Sequence, residues 1–399
     1  MIPFDKALAA YPRALAPQEI ERVPLAQALH RVLREPLLAL DDLPRHSQSA
    51  LDGYVLTAAD AARAPCPLRL AGEIPAGLTG ALPELRDGEC LRILTGARVP
   101  VNAGAVIAQE RTETVDRTIF VREALAPRAN IRWQGEERRR GELLAPAGIR
   151  LRPGHLSAAA AAGHARLGVS RAPRIAVLVS GDELRPAGTP LEEGQIWDSN
   201  GPLVAAWLAA RGYTAQVQSL ADSREAVDAA LDVALAQHDL VITTGGVSVG
   251  DRDYVLPAAE ALGVRREFWG VAQKPGKPLY FGTRDGRALL GLPGNPAAVL
   301  VGLYLHVRAA LDVLEGADAP GARWQRGRLT APLKADAKRD RLVRMACADD
   351  DEGRVLLTPL PHQDSHMLSN LLSADALAHL PARDALFEAG EVVRWVALD

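Results

Sequence analysis

The sequence of 399 residues is poor in cysteine and lysine and carries little net charge. Its three cysteines, Cys66, Cys90 and Cys347, are far apart and form no CxxC spacing. This argues against a disulfide framework and a zinc ribbon, and it favours a reducing compartment. The net charge of −3 gives no overall case for binding nucleic acid or an anionic membrane surface. We therefore expect a cytoplasmic protein that binds neither.

Long apolar runs and a signal-like start are also missing from the sequence pattern. The segment "MIPFDKALAAYPRAL" has no basic region followed by an apolar run of signal-peptide length. The segment "LSAAAAAG" at 156–163 is taken as the most apolar helical piece, and it is too short to cross a bilayer. A length of 399 residues suggests two to four domains, and 48% hydrophobic residues are enough to form a buried core.

Residues 170–316 alternate short apolar runs with helical patterns. "RIAVLVSG" and "DLVITTGG" indicate buried strands, and "NPAAVLVGLYLHVRAALDVLEG" indicates a long last helix. "PLYFG" and "ALLGLPG" flank "TRDGR" and predict a hairpin. Such alternation predicts a parallel, three-layer α/β domain.

The rest of the chain has different patterns. Residues 1–35 are predicted to be mostly helical and, with 138–169, to form a helical domain. Residues 36–137 hold short strand-like runs separated by Gly and Pro, which predicts an inserted β-rich domain. Residues 317–399 predict a small C-terminal β domain.

Three glycine-bearing loops follow predicted strands: "SGDEL" at 180–184, "TTGGVSVGDRD" at 243–253 and "LPGNP" at 292–296. Ligands of open parallel sheets bind beyond the carboxyl ends of the strands. Paired glycines let backbone N–H groups approach an anion, although a tight turn before a helix cap would explain them too. The candidate substrate-binding residues in these loops are Ser180, Gly181, Asp182, Gly245, Gly246, Val247, Ser248, Pro293, Asn295 and Pro296.

Carboxylates collect at the same predicted edge of the sheet. Glu183, Asp222 and Asp253 are the candidate metal ligands, because acids beside a phosphate site indicate a divalent cation. The helix predicted in "DSREAVDAALDVALAQ" is opened by Asp222 or Ser223, so Asp222 alone is explained equally well as a helix cap. Asn295 opens the last helix, where an anion site and a simple proline-capped start are equally supported.

Lysine occurs at five positions, and two of them, Lys274 and Lys277, lie together in "QKPGKP". Lysine is a compact point charge suited to phosphate, and the prolines and glycine stiffen the loop around it. The pair predicts a phosphate contact, with a solvated surface pair as the alternative.

Several motifs, in this order, resemble the MoeA family of molybdopterin molybdenumtransferases, which includes the E domain of gephyrin. They are "SALDGYV", "RILTGARVP", "GDEL", "IWDSNGP", "TTGGVSVGDRDYV", "KPGKP" and "GLPGNPAAV", with a weaker "HQDSHML" at 362–368. The resemblance spans nearly the whole chain. It implies an elongated homodimer of four domains, with residues 1–35 and 138–169 serving dimerisation and 170–316 similar to molybdopterin-binding, MogA-like domains.

The resemblance also implies a reaction: molybdate is inserted into adenylylated molybdopterin, and AMP is released, with Mg²⁺ as the metal. It assigns catalytic roles to Asp52, Thr95, Glu183 and Asp253, with the first two reaching the cleft from the partner subunit. Arg132 and Ser365 are implied substrate contacts. The molybdopterin adenylyltransferase and recipient molybdoenzymes are implied partners.

The sequence departs from the family pattern near the expected rim of the site. The changed positions are Ser47, Gln48, Trp133, Gln134, Glu137, Gly270 and Asp364. Three of these changes remove a lysine or arginine that the family carries. They support an alternative in which the chain is a molybdopterin-binding scaffold with little or no turnover. A third interpretation, an unrelated Mg²⁺-dependent phosphohydrolase, leaves the upstream motifs "SALDGYV" and "RILTGARVP" without a role.

Overall fold

Three six-stranded sheets organise the part of the chain that the computed structural model describes, residues 1–248, 250 and 253–398. One lies in the N-terminal part, one in the centre and one at the C-terminal end. The predicted fold class, α/β plus β-rich units with a small C-terminal β domain, is confirmed. The domain boundaries themselves stay a prediction.

The central sheet has four mutually parallel strands, then an antiparallel one and a last strand that restores the parallel direction. In spatial order its strands are Ala215–Leu220, Ile175–Ser180, Leu240–Thr244, Arg287–Leu292, Tyr280–Arg284 and Arg265–Trp269. The helices of this unit are Asn200–Ala209, Arg224–Gln237, Val255–Ala261 and Pro296–Leu314. The predicted hairpin is the pair formed by Tyr280–Arg284 and Arg287–Leu292.

Alternate residues of the buried strands face opposite layers of this unit. Val177 and Val179 belong to one core cluster together with the long last helix. Ala176 and Leu178 belong to a second cluster on the other face, together with the helix Arg224–Gln237. Because successive strand residues point to opposite faces, both faces are apolar and both are covered. This is the predicted three-layer arrangement.

The last helix, Pro296–Leu314, has 19 residues with a mean hydropathy of 1.7, so by length and composition it could cross a bilayer. The expectation that "LSAAAAAG" is the most apolar helical piece is therefore wrong. In the structure 94% of the apolar stretch of this helix is buried inside the protein, so the helix belongs to the α/β core. Its middle turn, Gly302–Val307, is π-helical.

The prediction that residues 1–35 are mostly helical is wrong. Two short helices, Phe4–Leu8 and Tyr11–Ala14, are followed by the strand Ile20–Pro24, which pairs antiparallel with Arg166–Ser170. The helices bury Phe4 and Tyr11 in the core of the central unit. A 3₁₀ turn, Leu25–Gln27, and the later helix Pro153–Ala161 complete this region, with Leu37–Leu38 paired to Leu143–Ala145.

The N-terminal β-rich unit contains the second sheet. In spatial order its strands are Ala103–Ala108, Gly53–Thr57, Glu89–Ile93, Cys66–Ile74, Thr118–Val121 and Thr112–Val115. A short helix, Ala58–Arg63, is capped by Thr57, whose hydroxyl accepts from the Asp60 N–H. The pair Gln48–Ser49 and Ile131–Arg132 and the 3₁₀ turn Gln109–Arg111 flank the sheet.

The C-terminal strands close on themselves into a small barrel. Its members are Gln325–Leu329, Asp340–Asp349, Val355–Pro359, Ala376–Leu380 and Val392–Ala397. The short strand Gln273–Lys274 adds to it in parallel, with Lys274 opposite Arg341. A 3₁₀ turn, Ser369–Leu372, lies in a connecting loop. The barrel is thereby attached directly to the loop that carries the lysine pair.

Candidate functional site

A cleft of about 1000 Å³ lies at the carboxyl ends of the strands Ile175–Ser180 and Leu240–Thr244. All three predicted glycine-bearing loops contribute to it. The predicted site residues that line it are Ser180, Gly181, Glu183, Asp222, Gly245, Gly246, Asp253, Asn295 and Pro296. The expectation that one edge of the sheet brings these loops together agrees with this geometry.

Hydrogen bonds hold the second and third glycine-bearing loops to each other and to neighbouring elements. The Gly245 N–H donates to the Leu292 carbonyl over 3.0 Å, and the Asn200 side-chain amide donates to the Gly294 carbonyl over 2.6 Å. Trp269 donates its indole N–H to the Val247 carbonyl over 3.0 Å. The floor of the cleft is therefore held by hydrogen bonds to neighbouring strands and to the start of the helix Asn200–Ala209.

Gly245 and Gly246 both have positive φ, 89° and 69°. A Cβ at Gly245 would lie 3.1 Å from the Ser180 carbonyl oxygen, and one at Gly246 would lie 2.8 Å from a methyl group of Val255. Both the backbone conformation and the space thus require glycine here. Such a turn exposes backbone rather than side chain to the cleft, as an anion cradle needs.

Asp182 and Asp222 are joined by two reciprocal hydrogen bonds. The Asp182 N–H donates to the Asp222 carboxylate over 3.2 Å, and the Asp222 N–H donates to the Asp182 carboxylate over 2.9 Å. The following helix is capped by Ser223, whose hydroxyl accepts from the Ala226 N–H. Asp222 is therefore not the helix cap, and this removes the alternative explanation for its position.

Asp253 accepts a hydrogen bond from the Gly250 N–H over 2.7 Å, which fixes its carboxylate beside the glycine loop. Glu183, Asp222 and Asp253 line one cleft, yet within the described residues no three His, Cys, Asp or Glu side chains are grouped closely enough to hold a metal ion. Mg²⁺ commonly uses one or two protein carboxylates and completes its shell with water and phosphate oxygens. The acids fit that mode of binding and not a closed cage of protein ligands. Asp251, another acid of this loop, lies outside the described residues.

The two lysines line a neighbouring cleft of about 360 Å³, which shares Asn295 and His366 with the larger one. Lys274 and Lys277 are exposed, whereas Pro275 and Gly276 between them are buried. Pro293 and Ser365 line the same cleft. The lysine loop and the glycine loops are therefore parts of one continuous surface.

The start of the last helix does not present free donors to an anion. The Ala297 N–H donates to the Ser365 carbonyl, and the Ala298 and Val299 N–H groups donate to the Asn295 carbonyl. The Asn295 side chain donates to the Ser365 hydroxyl over 2.8 Å. Asn295 thus joins the C-terminal unit to the cleft, and of its two explanations the geometry favours a structural helix start.

Asp52 and Thr95 lie together on the N-terminal unit, and neither lines the cleft formed by its own chain. Both the N–H and the hydroxyl of Thr95 donate to the same Asp52 carboxylate oxygen over 2.7 Å. These hydrogen bonds from Thr95 lower the pKa of Asp52, so its carboxylate is charged at neutral pH. Arg132 is exposed on the same unit, next to the strand Gln48–Ser49.

The remaining predicted residues, Val247 and Ser248, are not among those that line the cleft. Val247 is buried, and its carbonyl is held by Trp269, while Ser248 is exposed. Sequence reasoning did not assign Trp197, Asn200, His366 or Leu368 to the site, although all four line the cleft. The motif "IWDSNGP" contained the signal for Trp197 and Asn200, and "HQDSHML" contained it for His366 and Leu368.

Three family models match successive parts of the chain. Residues 2–163 match the MoeA N-terminal region (domain I and II), residues 176–313 match a probable molybdopterin binding domain, and residues 326–398 match the MoeA C-terminal region (domain IV). The two longer matches contain the Asp52–Thr95 pair and the glycine loops respectively.

Similar curated proteins come from staphylococci. A molybdopterin molybdenumtransferase from Staphylococcus epidermidis is 32% identical over 377 residues, covering 92% of this chain and 89% of that protein. One from Staphylococcus aureus is 30% identical over 383 residues, covering 93% and 89%. The predicted enzyme class, a transferase, agrees with the names of these relatives.

A solved structure with the same overall architecture is the molybdopterin biosynthesis MoeA protein from Pyrococcus horikoshii OT3. It aligns with a TM-score of 0.82 at 26% identity and covers 100% of both chains. A cofactor biosynthesis protein from Pyrococcus furiosus shares the fold at 20% identity, with a TM-score of 0.61.

Proposed function

Because the chain belongs to the MoeA family of molybdopterin biosynthesis proteins, we propose that it inserts molybdate into adenylylated molybdopterin and releases AMP. The observation that carries this proposal is the single cleft in which glycine loops and carboxylates meet at the strand ends. The substrate would be a phosphoanhydride with two charged phosphates. A site for it needs backbone donors, cations and a place for a divalent metal.

Each group in the cleft has a defined task in this proposal. The Gly245–Gly246 turn would hold the substrate phosphate through backbone N–H groups other than that of Gly245, which donates to the Leu292 carbonyl. Lys274 and Lys277 would neutralise the phosphate from the adjoining cleft. Glu183, Asp222 and Asp253 are the acids from which one or two ligands for Mg²⁺ would come, with water and phosphate oxygens completing its shell. When bound, the ion would neutralise charge on the phosphoanhydride. Breaking that bond requires stabilisation of charge more than a protein nucleophile, and the molybdate anion is attracted by the same local positive potential.

We also propose that the chain forms the homodimer that its family implies. A homodimer in the cytoplasm would bring Asp52 and Thr95 of one subunit to the cleft of the other, since neither lines the cleft of its own chain. Arg132 lies on the same unit and would approach with them. The molybdopterin adenylyltransferase would supply the substrate, and recipient molybdoenzymes would accept the product.

The alternative is a scaffold that binds the adenylylated cofactor without efficient turnover, and the replacement of three family cations by Trp133, Gln134 and Gly270 favours it. None of these three residues lines the cleft of its own chain. Gln134, which replaces a family arginine, donates to the Asp42 carboxylate over 2.8 Å, and Trp133 lies under the Arg128 guanidinium at 4.3 Å. Gly270, which replaces a family lysine, has a φ of 78°, and a Cβ there would lie 3.3 Å from the Met1 side chain. Lysine is therefore not easily restored at that position.

The experiment that tests the proposal measures AMP release from adenylylated molybdopterin with Mg²⁺ as the molybdate concentration is raised. We expect Asp253→Asn and Glu183→Gln to abolish metal-dependent release while the fold is retained, because each removes a carboxylate ligand from a sparse set. Both substitutions keep the size of the side chain.

Asp351→Asn is the matched control, since Asp351 is exposed in a hairpin of the C-terminal barrel. Wild-type turnover in both cleft variants would refute the metal assignment. If the wild type binds the cofactor but releases no AMP at any molybdate concentration, the scaffold alternative is correct.

A further inference from the structure

The large cleft is also lined by apolar residues, which we group as its apolar wall, besides the glycines and carboxylates that we group as its floor. Leu184, Ile196, Trp197 and Leu368 line this wall. Ile196, Trp197 and Leu368 are 55%, 53% and 44% exposed, respectively. Leu184 pairs with Ile196 in a short parallel ladder, and Leu368 reaches the wall from the C-terminal part of the chain.

Trp197 is unusual among the tryptophans of this chain. The other five, all within the described residues, are buried or half-buried, whereas Trp197 leaves about half of its surface in water. A tryptophan side chain has one of the largest apolar surfaces of any residue, and aromatic side chains commonly line the pockets that bind small molecules. An exposed indole inside a cleft is therefore a candidate ligand contact.

The ring of Trp197 is also held in one orientation. Its indole N–H donates to the Thr189 carbonyl over 2.9 Å, and its backbone is fixed by the ladder with Arg185. The next residue, Asp198, accepts from the N–H groups of Asn200 and Gly201 and so fixes the start of the following helix. A rigid aromatic face loses little entropy when a ligand binds on it.

We propose that Trp197 is a stacking platform for a planar bicyclic nitrogen heterocycle of the substrate. The inference rests on the proposed function, in which the substrate carries both a purine and a pterin joined through phosphates. The phosphates lie on the glycine floor, and one heterocycle lies on the apolar wall beside it. Trp197, Ile196 and Leu368 then determine which flat ring the cleft accepts.

The test compares a nucleotide with its own sugar phosphate. Titration calorimetry measures AMP and ribose 5-phosphate binding to the wild type, Trp197→Ala and Trp197→Phe. Stacking of a base on an aromatic side chain predicts that Trp197→Ala weakens AMP binding about 5- to 150-fold and leaves ribose 5-phosphate unchanged. Trp197→Phe should retain most of the AMP affinity, because it keeps a flat aromatic face.

The control variant is Phe120→Ala, which removes another exposed aromatic ring, 38% exposed, on a strand of the N-terminal sheet. It should bind AMP as the wild type does. A parallel titration with 6-hydroxymethylpterin identifies the ring: a loss confined to the pterin in Trp197→Ala supports the platform and assigns it to the pterin.

Equal losses for AMP and ribose 5-phosphate, or no loss for either heterocycle, would overturn the platform alone. A wild type that binds neither AMP nor the pterin would overturn both the platform and the proposed function. Normal AMP binding that depends on Trp197, in a protein that releases no AMP from the adenylylated cofactor, would overturn the proposed turnover and leave the platform standing.

Discussion

The conformation of the loop that carries Lys274 and Lys277 depends on two neighbouring residues, Gln273 and Gly276. Gln273 is fully buried and donates its side-chain amide to the Gly276 carbonyl over 3.3 Å. Gly276 has a φ of 97°, and a Cβ there would lie 2.6 Å from that amide nitrogen. The loop therefore has a buried backbone and two exposed ammonium groups. If the two lysines were only solvated surface charges, the loop between them would not need a buried backbone.

We predict that Lys274→Ala or Lys277→Ala weakens binding of the adenylylated cofactor on the order of ten- to a hundred-fold. A hydrogen bond to a charged group contributes about 1.5–3 kcal/mol, which gives that range. Arginine should not fully restore the affinity, because its wide planar fork cannot occupy the place of a compact ammonium group. Calorimetric titration of the cofactor measures the effect.

Lys6→Ala is the matched control, since Lys6 is also an exposed lysine but lies on the first short helix. Its affinity should equal that of the wild type. If Lys274→Ala and Lys277→Ala both bind the adenylylated cofactor with unchanged affinity, the two lysines are adjacent surface charges without a role in binding.

At the scale of elements, the long last helix supports the lysine loop through one buried histidine. His306 lies in the π-helical turn Gly302–Val307 and is completely buried. Its Nδ1 is 2.9 Å from the Tyr11 hydroxyl, and its Nε2 is 3.0 Å from the Gln273 side-chain oxygen. Because Gln273 donates its amide to Gly276, its oxygen must accept, so His306 Nε2 carries the proton and Nδ1 accepts from Tyr11.

This arrangement leads to a prediction about stability and pH. Burial lowers the pKa of His306 to about 3, below the ordinary value of a histidine near 6.5. Between these two values the unfolded chain binds a proton that the folded chain does not. The stability due to the neutral imidazole is therefore complete above about pH 6.5 and falls as the pH drops toward 3, by about 1.4 kcal/mol for each pH unit.

Urea unfolding of the wild type and of His306→Leu at a series of pH values measures this contribution. The leucine variant should be less stable at neutral pH, because Tyr11 and Gln273 lose a buried partner. Its stability should nevertheless fall less steeply than that of the wild type as the pH is lowered. Parallel pH profiles for the two proteins would contradict a buried neutral histidine.

Elements with a local signal could be predicted from the sequence, and elements made by distant partners could not. The strand Leu240–Thr244 and the hairpin that ends at Leu292 follow directly from apolar runs and turn residues. The strand Ile20–Pro24 was missed because its partner, Arg166–Ser170, lies far along the chain. No residue pattern predicts the π-helical turn Gly302–Val307, whose His306 contacts Phe4 and Tyr11 from the distant N-terminal helices.

The residues of the candidate site also divide into those with a local sequence signal and those that only the folded structure brings to notice. Glycines, acids and lysines after predicted strands were brought together as expected, because the carboxyl ends of parallel strands share one edge. The sequence left open whether Asp222 or Ser223 caps the helix, and it did not reveal that Asp222 bonds to Asp182 while Ser223 is the cap. It also gave no reason to select Trp197, whose significance comes from being exposed on a cleft wall. Exposure is a property of the folded chain and not of a motif.

At the scale of the whole molecule, the proposed site is incomplete in one chain. Asp52 and Thr95 form a hydrogen-bonded pair on the N-terminal unit, while Glu183 and Asp253 line the cleft of the central unit. If the active site requires both sets, it must form between the N-terminal unit of one subunit and the central unit of the other. A closed two-fold dimer would form two such sites.

Complementation between two inactive subunits tests this arrangement. We predict that the Asp52→Asn homodimer and the Asp253→Asn homodimer each lack AMP release, and that a heterodimer of the two regains roughly half of the wild-type rate. In the heterodimer one cleft has an intact Asp253 and faces an intact Asp52, whereas the other cleft lacks both. Co-expression with two different affinity tags and purification on both tags isolates the heterodimer, and AMP release is then measured per dimer. A heterodimer as inactive as its parents would show that one chain supplies the whole site, and failure to recover any doubly tagged protein would refute the homodimer itself.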